Sequence, residues 1–172
     1  LSQILTLLHA GADKISINSS AYTNPNLIET AAKRFGAQCI VASVDVKKLE
    51  DGTYACLSHS GTVMTNKKPV EWAKELADLG AGEILLTSVD RDGTMLGYDL
   101  GLIEKVSSNV DIPVIASGGA GSYQHMIEAV KQAGASAVAA ASIFHFTELT
   151  PAGAKAALQE AGIPVRKNYN GG

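Results

Sequence analysis

The 172-residue sequence predicts an α/β fold, a (β/α)8 TIM barrel present in part as about five strand–helix units. Three observations carry this. First, a phrase of glycine, alanine and one further residue recurs at Gly11-Ala12-Asp13, Gly36-Ala37-Gln38, Gly80-Ala81-Gly82 and Gly134-Ala135-Ser136, each time after a helical pattern and before a strand-like one. Glycine can close a helix in the left-handed conformation, so each phrase reads as helix, short turn, strand. Second, strand–helix alternation with short connections means a parallel sheet covered by helices. Third, side-chain parity separates a closed barrel from an open doubly wound sheet. In strand 14–18, Lys14, Ser16 and Asn18 point one way while Ile15 and Ile17 point the other. In strand 39–45, Ser43 and Asp45 share a face with Cys39 and Val41; in 83–90, Glu83 and Thr87 share one with Leu85 and Val89. Open parallel sheets bury both faces and read as nearly continuous apolar runs, whereas a polar set on one face suits a barrel lumen.

The elements follow in chain order. Strand 14–18 leads to a helix near 25–35. Strand 39–45 leads to a small hairpin, 53–57 with 62–65 about Ser60-Gly61, and then to a helix near 69–79. Strand 83–90 precedes a helix near 100–108, strand 113–118 one near 123–133, and strand 137–142 a last helix near 151–161. Pro25 and Pro151 fall just inside helix starts, where a missing N–H costs nothing. A complete barrel takes about 250 residues. The chain opens at Leu1 without a methionine, in the middle of a helix-like apolar pattern, so the expectation is one partial domain over 1–172 with a hairpin insertion at about 53–65, cut from a longer protein.

Composition narrows the function classes. At 46% hydrophobic and 18% charged, the chain can bury a proper core. A net charge of −3 without a basic block argues against non-specific nucleic-acid binding. No apolar run approaches the roughly 20 residues of a membrane-spanning helix. Two cysteines, Cys39 and Cys56, cannot make a disulfide framework, and a reduced cytoplasm is the expected location. His9, His59, His125 and His145 show no ligand spacing, so no metal is expected.

In α/β barrels the chemistry gathers at the carboxyl ends of the strands. Ser117-Gly118-Gly119-Ala120-Gly121 and Ala141-Ser142 end the last two strands, where small residues let the backbone approach a phosphate and the stretch 143–146 offers a helix start. The bland alternative is glycine serving a tight turn. Asn18-Ser19-Ser20 offers a second such cradle. Asp45 ends its strand on the lumen face, where a carboxylate serves as general acid or base, or else satisfies loop amides. Asp90-Arg91-Asp92-Gly93 reads either as chemistry or as a salt-bridged turn. Lys14 and Glu83 open their strands on the same face, at the opposite end of the lumen, and such charges should pair.

Taken together, Gly11 to Asn18, Gly80 to Ser88, Asp90-Arg91-Asp92-Gly93-Thr94, Gly97-Tyr98-Asp99, Ile115 to Gly121 and Ala140 to Phe146 strongly resemble the cyclase subunit of imidazole glycerol phosphate synthase, over essentially the whole chain. The resemblance implies a (β/α)8 barrel of histidine biosynthesis, a lyase needing no cofactor. Ammonia from a partner glutaminase would cross the barrel and react with a phosphoribulosyl-formimino aminoimidazole carboxamide ribonucleotide. The products would be imidazole glycerol phosphate and aminoimidazole carboxamide ribotide. It further implies that Asp45 is an acid/base residue and that Asn18 and Ser19 hold one phosphate. Ser117, Gly118, Gly119, Ala141 and Ser142 would hold the other. Thr87, Asp92 and Gly93 would contact substrate, and Lys14 and Glu83 would belong to an ammonia gate. Asp13 would lie on the face that meets the glutaminase. The family's other catalytic aspartate and a mobile lysine loop belong to earlier strands that this sequence does not contain, so the chain alone is expected to be inactive. The tail from Phe146 to Pro151 and on to Arg166, with Val46-Lys47-Lys48, also resembles a cyclase-like branch that serves amidation of surface-polysaccharide sugars. A third reading makes the chain an assembly module that pairs through its sheet edges.

Overall fold

The structure, a computed structural model, describes residues 1–166. In order the elements are α1 (Ser2–His9), β1 (Ile15–Ile17), α2 (Ser19–Thr23), α3 (Asn26–Phe35), a 3-10 turn (Ala37–Cys39), β2 (Ile40–Lys48), β3 (Tyr54–Ser58), β4 (Val63–Met64), α4 (Pro69–Asp78), β5 (Glu83–Ser88), α5 (Leu100–Ser107), β6 (Val114–Ser117), α6 (Tyr123–Lys131), β7 (Ala137–Val138), α7 (Ser142–Phe146) and α8 (Pro151–Glu160). The glycine of each of the four Gly-Ala phrases has a positive φ, between 73° and 100°, though Gly36, with ψ of 139°, lies outside the left-handed helical region.

Strands β1, β2, β5, β6 and β7 pair in parallel, each beside its predecessor among the five. A doubly wound sheet reverses its strand order at a switch point. None occurs here, and the order is that of a barrel wall. The hairpin β3–β4 pairs antiparallel along β2, beyond the stretch of the same edge that β1 occupies.

The parity follows the sequence pattern. Ile15 and Ile17, Ala42, Val44 and Val46, Ile84 and Leu86, and Val114 and Ala116 are buried under the helices in one contiguous core. The other face carries the polar set. Register places Asp45 opposite Thr87 and Thr87 opposite Ser117, so three adjacent strands present one row near their carboxyl ends. The lone Trp72 is fully buried on the core side of α4.

Several boundaries differ from the sequence expectation, each for a local reason. Strand 39–45 starts one residue late, after the 3-10 turn that holds Cys39, and continues to Lys48 because β3 pairs with residues 45–48. Asp45 therefore lies within its strand, not at its end. Strand 83–90 stops at Ser88, whose carbonyl accepts the N–H groups of Arg91 and Asp92 and turns the chain. Strand 137–142 is only Ala137–Val138: Ala139 makes one more bond, to the Ala116 carbonyl, and Ser142 already begins α7. Pro25 stands at the N-cap of α3 rather than inside it. The short helix α2 was not expected. Residues 167–172 of the expected domain lie outside the described residues. Among the described residues no helix is long and apolar enough to cross a membrane.

Candidate active site

Two cavities open at the carboxyl ends of the parallel strands and share one wall residue, Asp92. The smaller, about 170 Å³, runs along the turns after β6 and β7 and is lined by Ser117, Gly118, Gly119, Ala141 and Ser142, with Gly93 from the loop after β5. The larger, about 490 Å³, holds Asn18, Ser19, Asp45 and Thr87. Most of the residues nominated for the strand carboxyl ends thus line one of two adjoining spaces; Ser20, Asp90, Arg91 and Gly121 line neither.

In the smaller cavity the glycines have two jobs. Gly118 and Gly119 have φ of 87° and 107°, and a Cβ on either would come within 2.6 Å of the Ser88 carbonyl oxygen and 2.3 Å of that of Gly97. No side chain fits between these turns and the loop 89–99, so the plain turn-forming reading has a definite cause. The turn leaves something over: the N–H groups of Gly118, Gly119 and Ala120 donate to no other described residue. Successive unpaired N–H groups form a concave nest that suits an anion.

Asp45 dominates the larger cavity. Burial raises its carboxyl above the ordinary 3.8, the charge of Asp92 pushes the same way, and the Asn18 amide pulls it back by favouring the ionised form. A carboxyl held up in this way is suited to carrying a proton to or from a substrate. Ser19 Oγ accepts a 2.8 Å hydrogen bond from the backbone N–H of His59, which ties the β1–α2 junction to the turn of the hairpin.

The remaining candidates divide. Asp90 is structural: its carboxylate accepts the Lys48 backbone N–H at 2.7 Å. Among the described residues no ion pair joins the Asp90-Arg91-Asp92 turn; Arg91 Nη1 instead donates to the Leu96 carbonyl at 3.4 Å. Lys14 and Glu83 form an ion pair at the amino ends of β1 and β5, at the opposite end of the strands from the cavities. Cys56 is buried, which pushes its thiol up to about 12 and makes it inert. No group of three His, Cys, Asp or Glu able to hold a metal occurs among the described residues. Sequence reasoning did not nominate Ser43 and Ser60, which also line the larger cavity. Ser43 shares the parity of Asp45, so its signal was there to use. Ser60 arrives through the hairpin turn, which no local pattern aims at β2.

Residues 1–150 match the family described as histidine biosynthesis protein. The chain is 53% identical over 166 residues to the imidazole glycerol phosphate synthase subunit HisF of Hydrogenobaculum sp. (strain Y04AAS1), an alignment covering 96% of this chain and 66% of that relative. The chain thus spans just under two thirds of that relative's length. With consecutive parallel strands, a lumen-side carboxylate and a match across most of its length, the chain belongs to the histidine biosynthesis protein family.

Proposed function

We propose that this chain supplies the part of an ammonia-dependent cyclase that grips a phosphorylated ribonucleotide and holds one of its acid/base groups. The observation that carries the reading is the row Asp45–Thr87–Ser117, which sets a carboxyl of raised pKa in the larger cavity and runs to a residue lining the smaller one beside it. The reaction is that of imidazole glycerol phosphate synthase. Ammonia adds to the ribulosyl formimino ribonucleotide, and ring closure with loss of one water and cleavage give imidazole glycerol phosphate and aminoimidazole carboxamide ribotide.

Each residue has a share in it. The nest at Gly118–Ala120 with Ser142 receives one phosphate, and Asn18 and Ser19 receive the other. Two anchored ends fix the substrate across the mouth, which converts binding into orientation at the reacting centre. Asp45 moves a proton there, with Asp92 and Thr87 beside it. The Lys14–Glu83 pair stands at the far end of the lumen, where ammonia from a glutaminase subunit would enter, with Asp13 on the docking face.

The test is titration of the 172-residue chain with imidazole glycerol phosphate and aminoimidazole carboxamide ribotide together, each carrying one of the two phosphates, read by amide resonances. Saturable shifts at Asn18, Ser19 and Gly118–Ala120 are expected, with no turnover of the ribonucleotide in ammonium salts. Turnover needs the second aspartate, which the family places on a strand outside this sequence. Absence of binding overturns the reading, and substantial turnover overturns the division of labour.

A further inference from the structure

Tyr98 belongs to the Gly97-Tyr98-Asp99 motif, yet it lines neither cavity. It is only 4% exposed, and burial raises its phenol far above the usual range, so the hydroxyl remains a donor. That donor goes to the Ala139 carbonyl at 2.9 Å. One residue earlier, the Gly97 N–H donates to the Gly119 carbonyl at 2.7 Å. Two consecutive residues of one loop therefore hold one carbonyl in each of the two turns that form the smaller cavity.

The consequence is in the peptide units. Every peptide bond among the described residues is trans, so a carbonyl and the N–H that follows it point in opposite directions. Holding the Gly119 oxygen toward Gly97 turns the Ala120 N–H away from that loop. Holding the Ala139 oxygen toward Tyr98 does the same for Ala140. Neither N–H donates to another described residue, and both residues line the cavity. The Gly119 turn is further braced, because the backbone around it is locked against the loop. The Ala139 turn is not: β7 is two residues long, and only the Ala139 N–H bond to Ala116 continues its pairing. A flipped Ala139–Ala140 peptide would present an oxygen to an incoming anion instead of a donor.

We infer that Tyr98 is a positioning residue, which sets the polarity of the Ala139–Ala140 peptide and so completes an anion grip formed jointly by the β6 and β7 turns. This rests on the phosphate reading of the smaller cavity and adds the residue that makes it a two-sided site.

The experiment compares Tyr98→Phe with a matched control in the full 172-residue chain. Tyr123 also spends its hydroxyl on backbone, donating to the Thr150 carbonyl at 3.1 Å and accepting its N–H at 2.9 Å, and it lines neither cavity. Inorganic phosphate is titrated against the unaltered chain, Tyr98→Phe and Tyr123→Phe, with amide resonances and thermal midpoints recorded together. Phosphate should bind Tyr98→Phe about tenfold more weakly, the scale of one lost charge-assisted hydrogen bond, while Tyr123→Phe loses stability but keeps its affinity. Equal affinity in Tyr98→Phe and the unaltered chain, or equal weakening in both variants, overturns the inference. The unaltered chain gives a second readout that depends on no variant folding: phosphate should shift the Ala120 and Ala140 amides together, and a shift at Ala120 alone also overturns it. If phosphate moves neither amide in the unaltered chain, it is the phosphate reading itself that fails.

Discussion

Ser19, at the first position of α2, and His59, in the hairpin turn forty residues later, are joined by a 2.8 Å hydrogen bond from the His59 backbone N–H to the Ser19 hydroxyl oxygen. His59, Ser60 and Gly61 have φ of 52°, 56° and 76°, so the turn keeps two non-glycine residues in a left-handed conformation that costs each about 1–2 kcal/mol. The Ser19 bond is one of the contacts that offsets this. Ser19→Ala should destabilise the chain by about 1 kcal/mol and speed hydrogen exchange at the His59 amide. An unchanged exchange rate would show that the turn stands without α2.

Asp45 gives the chain a pH-dependent stability whose sign follows from its surroundings. Burial, and then the charge of Asp92, raise its folded pKa above the ordinary 3.8, with the Asn18 amide opposing. A carboxyl raised on folding prefers to be neutral in the native state. Its stabilising contribution is complete below 3.8 and is lost as pH rises through the folded value. Asp45→Asn, uncharged at every pH, escapes that loss. Thermal melts should show Asp45→Asn more stable than the unaltered chain at pH 7 and the two converging near pH 3. The opposite ordering at pH 7 would mean that the Asn18 bond outweighs burial.

What the sequence made legible was what repeats or alternates. The four Gly-Ala phrases mark real helix stops, and strand parity put Asp45 and Thr87 on the cavity side because a two-residue period needs no tertiary information. Contacts made at a distance were not legible. Nothing local in Ser19–Thr23 signals a helix; α2 is held in place through a distant contact, Tyr22 stacking on Trp72, 4.9 Å away and fifty residues later. The extension of β2 to Lys48 depends on the hairpin lying alongside it. The glycines after β6 looked like a phosphate signature or a tight turn, and only the position of the loop 89–99 shows that close packing demands them as well.

The Lys14–Glu83 pair should contribute little to stability, whatever else it does. Lys14 keeps 46% of its side-chain surface and Glu83 21%, so solvent screens much of their attraction. A double-mutant cycle with Lys14→Met and Glu83→Gln should give a coupling below about 1 kcal/mol that shrinks in high salt. A larger, salt-insensitive coupling would mark the pair as a structural clamp.

Gly82, at the end of the third Gly-Ala phrase, is needed for space and not for conformation. A Cβ there would lie 2.1 Å from the Ala37 carbonyl oxygen, while the Gly82 N–H is held by Ile40 O at 2.9 Å, so neither backbone can retreat freely. Gly52 is the converse case, with φ of 81° and nothing within 4 Å of a Cβ. Gly52→Ala should cost about 1 kcal/mol, the left-handed penalty alone. Gly82→Ala adds a clash of the overpacking kind and should cost about 3 kcal/mol, by forcing apart the 3-10 turn and the start of β5. Denaturant midpoints measured side by side decide it: equal losses would mean that the close approach of residues 37 and 82 relaxes at no cost.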